Sequence, residues 1–342
     1  MQECIAQWSS ALVRSAQVVS EQPHLLASLR AAKITNVAFV GMGGSGIAGR
    51  LIKLLLSVES ALPISVVEGI QLPRQCDVET LLVVSSYSGN TWETVELFEQ
   101  GLQRHIPMIV LASGGRLAQR AREEGVPLLA IPGGWVPRAA LPIFLGSILS
   151  ILENLGLYAG LRVVREWQQH WDAVGAQVAD RAQYQELTML LMDAPFCHVW
   201  GVTDDSDAVA YRLQTQLNEN SKVAAVYSPF PELNHNLLVG FDQASRVAPL
   251  ICVMSDFAPD LLKMSLASVE NTLRANGIPL YKPALLGDTW RNQLAYVLWW
   301  ADFASLYVGQ TRGCDITQTR LIDSVKRTFS QKVHINEKEC TS

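Results

Sequence analysis

Residues 36–49 read NVAFVGMGGSGIAG. Val37 to Val40 is an unbroken apolar run, too short for a helix, and such a run is the signature of a strand buried on both faces of a parallel sheet. The glycines from Gly41 to Gly46 make a tight turn, and IAGRLIKLLL then continues with helical spacing. Strand, glycine turn and helix in that order open a doubly wound α/β unit, with the start of the helix beside the strand's exit.

The turn itself admits two readings. Gly41, Gly43 and Gly46 satisfy the dinucleotide pattern GxGxxG, and Glu68 closes the next predicted strand, near where a ribose-binding acid would stand. Ser45 points the other way, because a hydroxyl among free amides at a helix start suits a terminal phosphate better than a diester bridge. A second stretch weighs on the same side. Ser85-Ser86-Tyr87-Ser88-Gly89-Asn90-Thr91 again follows an apolar strand and again opens a helix. Three hydroxyls and a helix start can converge there on one anion, each helix terminus contributing roughly 0.3–1 kcal/mol. Capping of the next helix by Ser88 or Thr91 is the structural alternative.

Around these loops the alternation continues, with strands predicted near 64–67, 81–85, 107–112 and 127–130 and helices after Thr91 and Gly115. Residues 3–32 carry Trp8, Leu12, Val19, Leu25, Leu26 and Leu29 on one side of a helical pattern interrupted by Pro23, a packing or dimer-facing arm. A polar helical connection rich in Trp and Gln, Arg165 to Gln185, separates this unit from a second. There a strand at 196–202 precedes a helix that Asp204 or Asp205 can cap, with the apolar stripe Val209, Leu213 and Leu217. Strands near 223–227 and 247–254 and helices near 258–275, 288–308 and 318–331 follow. The expected organisation is an arm (1–34), a first α/β domain (35–160), a connection (161–185), a second domain (186–332) and a disordered tail (333–342), one fold used twice.

Composition limits the function. A chain of 342 residues exceeds one core of the usual size, roughly 100–200 residues, and 49% hydrophobic content can fill two. A net charge of −5 gives no general attraction for nucleic acid or anionic membrane, so any phosphate affinity is local. The cysteines contain no CxxC pair and the histidines no spaced ligand pair, so no metal is expected, and reduced cytoplasmic thiols are the natural reading. The start of the chain lacks the pattern of a signal peptide. The apolar runs 139–152 and 297–308 fall short of a membrane span and read as core helices.

Further along, VPRAALP, LNENSK and ELNHN follow the two loops in that order. With GMGGSGIAG and SYSGNTWET they make the chain resemble the bifunctional phosphoglucose/phosphomannose isomerase family over about residues 35–330. The resemblance implies two sugar isomerase (SIS) domains, each a doubly wound α/β fold with a parallel sheet flanked by helices. It also implies activity without cofactor or metal on glucose, mannose and fructose 6-phosphates. Carried over by motif, Gly44, Ser45, Ser86, Ser88 and Thr91 hold the phosphate. Arg138 lies beside the substrate oxygens, where a guanidinium stabilises an enediolate. Glu219 is the base, and its place near a helix end, where the dipole is negative, independently favours a carboxylate poised nearer neutrality. His235 assists ring opening from the partner subunit, which implies a homodimer. Alignment on Asp315 and Ile322 makes Lys326 the second ring-opening residue, although the prolines that usually precede it are absent. Thr319 falls near a threonine associated with mannose 6-phosphate use. Trp92 stands where relatives usually carry an acidic residue.

The expected function is therefore a cytoplasmic aldose–ketose isomerase of hexose 6-phosphates. A sugar-phosphate sensor on the same fold, or an isomerase of another phosphosugar, would share the anion loops. Glu219 with His235 separates an isomerase from a sensor, which needs no base, and a substrate panel separates one phosphosugar from another.

Overall fold

The computed structural model describes residues 1–242 and 248–339 of the chain. Helices α1 (Gln2–Ala6), α2 (Trp8–Ser20) and α3 (Ala27–Arg30) precede the first sheet, with a short 3₁₀ turn at Pro23 between the last two. Strands β1 (Asn36–Val40), β2 (Ile64–Val67), β3 (Thr80–Ser86), β4 (Met108–Ala112) and β5 (Leu128–Ala130) form one sheet in the order β2-β1-β3-β4-β5. Every pairing in it is parallel. Helices α4 (Gly43–Glu59), α5 (Trp92–Gln103) and α6 (Gly115–Glu123) are its crossovers, and α7 (Leu141–Asn154), α8 (Gly160–Ala179) and α9 (Gln185–Leu191) lead onward.

The second sheet repeats the plan. Strands β6 (Phe196–Val202), β7 (Ala224–Phe230), β8 (Leu250–Val253) and β9 (Leu280–Tyr281) pair in parallel in the order β7-β6-β8-β9. That is the first order without its last strand, so the chain is one α/β fold used twice. Helices α10 (Asp207–Gln216), α11 (Asp260–Ala275), α12 (Trp290–Thr311) and α13 (Arg320–Glu339) complete it.

Period-two alternation assigns the strand residues to layers. Val37, Phe39, Leu81, Val83, Ile109 and Leu111 face a central cluster that also takes Cys197, Val199, Ile251 and Val253 from the second sheet. Their neighbours Ala38, Val40, Leu82, Val84, Val110 and Ala112 face the outer layer. Both sheets thus back onto one shared helical layer built by α2, α4, α7, α8, α10 and α12. Trp8, Trp167 and Trp171 are fully buried there, so the polar-looking stretch from Arg165 is a core helix that hides its tryptophans, and the N-terminal arm is packing. Burial of each such ring is worth roughly 1.5–3 kcal/mol.

Some local expectations are corrected. Asp205 does not cap α10: both its carboxylate oxygens accept from Ser255, and Ser206 is the N-cap residue. A demand from the end of β8 outbids the helix start. The last helix runs to Glu339 instead of giving way to a tail at 333, since no proline or glycine interrupts it; residues 340–342 lie outside the described residues. Among the described residues no helix is long and apolar enough to cross a membrane.

Candidate active site

The two glycine/serine loops follow β1 and β3, the strands on either side of the point where the strand order reverses. A doubly wound sheet opens its ligand crevice there. They are joined into one unit. The Tyr87 N–H donates to Ser45 Oγ at 3.1 Å, and a side chain on Gly41 would meet the Ser85 carbonyl oxygen at 2.9 Å. Helices α4 and α5 both begin without a side-chain cap, so their first amides are open to an anion.

Thr91 stands at the N-cap of α5, yet its hydroxyl accepts from Ser86 Oγ at 3.1 Å instead of capping the helix. Ser86 Oγ in turn accepts the Gly89 N–H, while Ser88 Oγ accepts only from Asn90 two residues on. Gly89 takes a φ of +66°, and any side chain there would strike the Gly114 carbonyl oxygen. The loop is therefore pressed against the turn that opens α6. Glu68 is occupied by Arg50, whose Nε donates to it at 2.8 Å, which removes the acid that a ribose would need.

Tyr87 ties these loops to Arg138. Its hydroxyl donates to the Pro132 carbonyl and accepts from Trp135 N–H at 2.7 Å, fixing the segment that enters the 3₁₀ turn Pro137–Ala139. Gly44 faces that turn so closely that a Cβ would lie 3.1 Å from Arg138 Cα. Arg138 is buried, which pulls its pKa down, while the Glu219 charge pushes it up. Its Nε donates to Asn220 Oδ1 at 2.7 Å, Nη2 donates to the Ile316 carbonyl, and Nη1 reaches Glu219 Oε2 at 3.4 Å.

Glu219 lies in a single π-helical turn, Leu217–Ser221, that ends α10 and stops at Lys222 in the left-handed region, φ +54°. One extra residue in a turn re-aims the side chains around it, and such bulges recur at functional sites. Asn220 and Ser221 point inward and are buried, whereas Glu219 is partly open to solvent. Lys222 Nζ donates to the carbonyls of Glu219 and Gln318, strapping the segment before α13 over this turn. Burial, and then the neighbouring Arg138 charge, lower the Lys222 pKa.

The anion loops, Arg138 and Glu219 are thus brought together. The helix that carries Lys326 touches the second loop one turn further on, where Phe329 stacks on Trp92, the residue after Thr91. Lys326 itself is exposed. Thr319 Oγ1 is held by Asp323. His235 lies beyond the far end of β7 from Glu219. Glu219 sits just before the start of β7 and His235 just past its end, so seven residues of strand, about 20 Å, separate them. Among the described residues no group of three His, Cys, Asp or Glu could hold a metal ion.

Four residues of the site lie outside the candidates read from sequence, Asn220 within LNENSK and three without a motif. Asn220, Arg212, Asp302 and Ser305 are all buried and hydrogen-bonded around Arg138. A signal for two of them exists: Arg212 and Asp302 are opposite charges, each alone in an otherwise apolar helical stripe.

Two parallel α/β units with paired serine loops at one switch point define a two-domain SIS protein of the phosphosugar-handling class. Residues 185–329 match the family model described as the bacterial phospho-glucose isomerase C-terminal SIS domain. The chain belongs to the bifunctional phosphoglucose/phosphomannose isomerase family, and curated relatives of that name are 25 to 29% identical to it. The relative from Caldicellulosiruptor bescii is 25% identical over 90% of this chain and 93% of its own. A protein from Sulfolobus acidocaldarius named D-glucosamine-6-phosphate 4-epimerase is 30% identical over 63% of this chain and 68% of its own. Among solved structures, the C-terminal domain of glucosamine-fructose-6-phosphate aminotransferase from Francisella tularensis shares the fold, with a TM-score of 0.70 and 16% identity over 93% of this chain and 97% of that one.

Proposed function

We propose that the protein is a cytoplasmic aldose–ketose isomerase that interconverts glucose 6-phosphate and mannose 6-phosphate with fructose 6-phosphate through a cis-enediolate. The observation that carries this reading is Glu219 within 3.4 Å of a buried arginine that is itself packed against the first anion loop. Gly44, Ser45, Ser86, Ser88 and Thr91 anchor the phosphate, which fixes C1 and C2 of the opened sugar against the carboxylate. Glu219 takes the proton from C2 and returns it to C1, and Arg138 Nη1 stabilises the oxygen that gains charge as it leaves. Lys326 and His235 of the partner subunit open the ring.

The exposure of His235 supports a homodimer, because exposed apolar side chains surround the same corner: Val239 follows it, and Phe257, Leu261 and Met264 line the start of α11. The 3₁₀ turn that carries His235 touches α11 through Asn234 and Ser265. Patches of this kind mark association surfaces. Unpaired thiols at Cys4, Cys76, Cys197, Cys252 and Cys314 suit a reducing compartment.

The test is turnover of fructose 6-phosphate with a chelator present, coupled to detection of glucose 6-phosphate. Glu219→Gln should lower kcat by roughly 10²–10⁴ while leaving sugar-phosphate binding intact. Wild-type protein that binds the sugar yet never exchanges its C2 hydrogen in deuterated water would be a sensor. The epimerase among the relatives favours one further reading, an activity on amino-sugar phosphates. Incubation with glucosamine 6-phosphate, followed by separation and identification of the products, decides between them.

A further inference from the structure

Two of the points at which Arg138 is held, its main-chain carbonyl and its Nε, lead back to one face of α12. In the first arm, Arg212 Nη2 donates to the Arg138 carbonyl at 2.5 Å and to both Asp302 carboxylate oxygens at 2.9 Å. Arg212 Nε adds a bond to Asp302 Oδ1 at 3.2 Å, and Gln216 Nε2 donates to the same oxygen at 2.6 Å. Arg212 and Asp302 are both completely buried. In the second arm, Ser305 Oγ accepts from Asn220 Nδ2 at 2.9 Å, and Asn220 Oδ1 accepts from Arg138 Nε at 2.7 Å.

Asp302 and Ser305 are three residues apart on the helix and so share a face. Four residues after Ser305, Gly309 lets the helix approach so closely that a Cβ would lie 2.4 Å from the Asn220 carbonyl oxygen. The same face thus also holds the turn that carries Glu219, and the Ser221 hydroxyl bonds the Ser305 carbonyl at 2.7 Å to complete the seam.

We propose that Asp302 with Arg212, and Ser305 with Asn220, are positioning residues that hold the Arg138 guanidinium in register for a second anion, distinct from the phosphate, at the reacting end of the ligand. The inference rests on the proposed role of Arg138 as oxyanion donor.

The physical reasons are three. A buried arginine has many rotamers, and an oxyanion donor helps only if it needs no reorganisation when charge develops. Fixing the carbonyl and Nε, with Nη2 held by the Ile316 carbonyl, leaves Nη1 turned toward the base, where among the described residues it reaches Glu219 at 3.4 Å. Finally, Asp302 neutralises Arg212, so that the positive charge beside the ligand is that of Arg138 and the pair behind it is electrically closed.

A merely structural ion pair would affect stability alone, so the test compares two ligands that differ only at the reacting end. Arabinonate 5-phosphate carries a carboxylate where the enediolate oxygens would form, and glucitol 6-phosphate carries neutral hydroxyls. Wild-type protein should prefer the carboxylate, since its charge meets Arg138. In Ser305→Ala and Asp302→Asn the preference, measured as the ratio of the two Kd values by calorimetry, should fall by tenfold or more, with glucitol 6-phosphate binding held within about threefold.

Ser305→Ala removes only a hydroxyl and keeps the question open to measurement should Asp302→Asn fail to fold. A ratio unchanged in folded Ser305→Ala overturns the proposal. So does wild-type protein that binds both ligands equally, because Arg138 then offers nothing to a second anion. Turnover is not needed for either readout. A wild type without isomerase activity would sink the catalytic reading, while a ratio that collapses in the variants would still establish the clamp.

Discussion

Trp92 and Phe329 stack with ring centroids 5.1 Å apart and planes inclined by 31°. This is the join between the last helix and the second anion loop, since Trp92 is the first residue of α5 and directly follows Thr91. At this position the chain has a ring that serves as a seat for α13. The other end of the connection is tied down by Arg138 and Lys222, which donate to the carbonyls of Ile316 and Gln318. Together these contacts hold both ends of the segment that leads into α13. Phe329→Ala should therefore lower kcat severalfold through loosened placement of Lys326, with a smaller change in KM. A double-mutant cycle with Trp92→Ala should return a coupling of about 0.5–1.5 kcal/mol, the usual worth of an aromatic pair. Coupling near zero in stability and in kcat would mean that the rings meet without holding the helix.

His235 and Glu219 stand at opposite ends of β7, and this separation makes a prediction about subunits. If the histidine of one chain serves the glutamate of the other, Glu219→Gln and His235→Ala are each defective as pure homodimers, but their mixture contains dimers with one complete site. After mixing in equal amounts under conditions that exchange subunits, half the dimers are mixed, and activity should rise to about a quarter of the wild-type value. Activity that stays at the mean of the two separate variants would assign the histidine to its own chain or to no role.

Much of this was legible from local pattern, and the reasons are physical. Val37 to Val40 and Leu81 to Val84 announce buried strands because parallel sheets covered on both faces demand continuous apolar runs. Ser45 and Ser86 stand out as candidates because each lies in one continuous glycine/serine stretch that follows an apolar strand and opens a helix. Arg212, Asp302 and Ser305 escape that logic: they meet through tertiary packing between α10, α12 and the Arg138 turn, with 74 positions between Arg138 and Arg212, 90 between Arg212 and Asp302 and 85 between Asn220 and Ser305. Asp205 illustrates the converse. Its side chain has the right chemistry for a cap, but the choice between a helix start and the Ser255 amide is settled by the arrival of β8, which no local pattern encodes.

His198 gives the stability of the second domain a pH dependence of known sign. It lies on the central strand β6, packed edge-on against Phe196 at 4.6 Å and Phe241 at 5.6 Å, and among the described residues its buried Nδ1 has no hydrogen-bond partner. Burial lowers its pKa below the ordinary histidine value, because the charged ring would lose its hydration there. The unfolded chain therefore binds a proton at a pH where the folded chain still refuses one. Stability from this group is complete above about pH 6.5 and is lost as the pH falls from there through the folded-state pKa. His170, whose pKa burial also lowers, adds a contribution of the same sign. Thermal denaturation should show Tm falling between pH 7 and pH 5, and His198→Leu should flatten that slope while keeping the aromatic packing largely filled. An equally steep slope in the variant would place the acid sensitivity elsewhere, with the paired carboxylates of the surface as the alternative source.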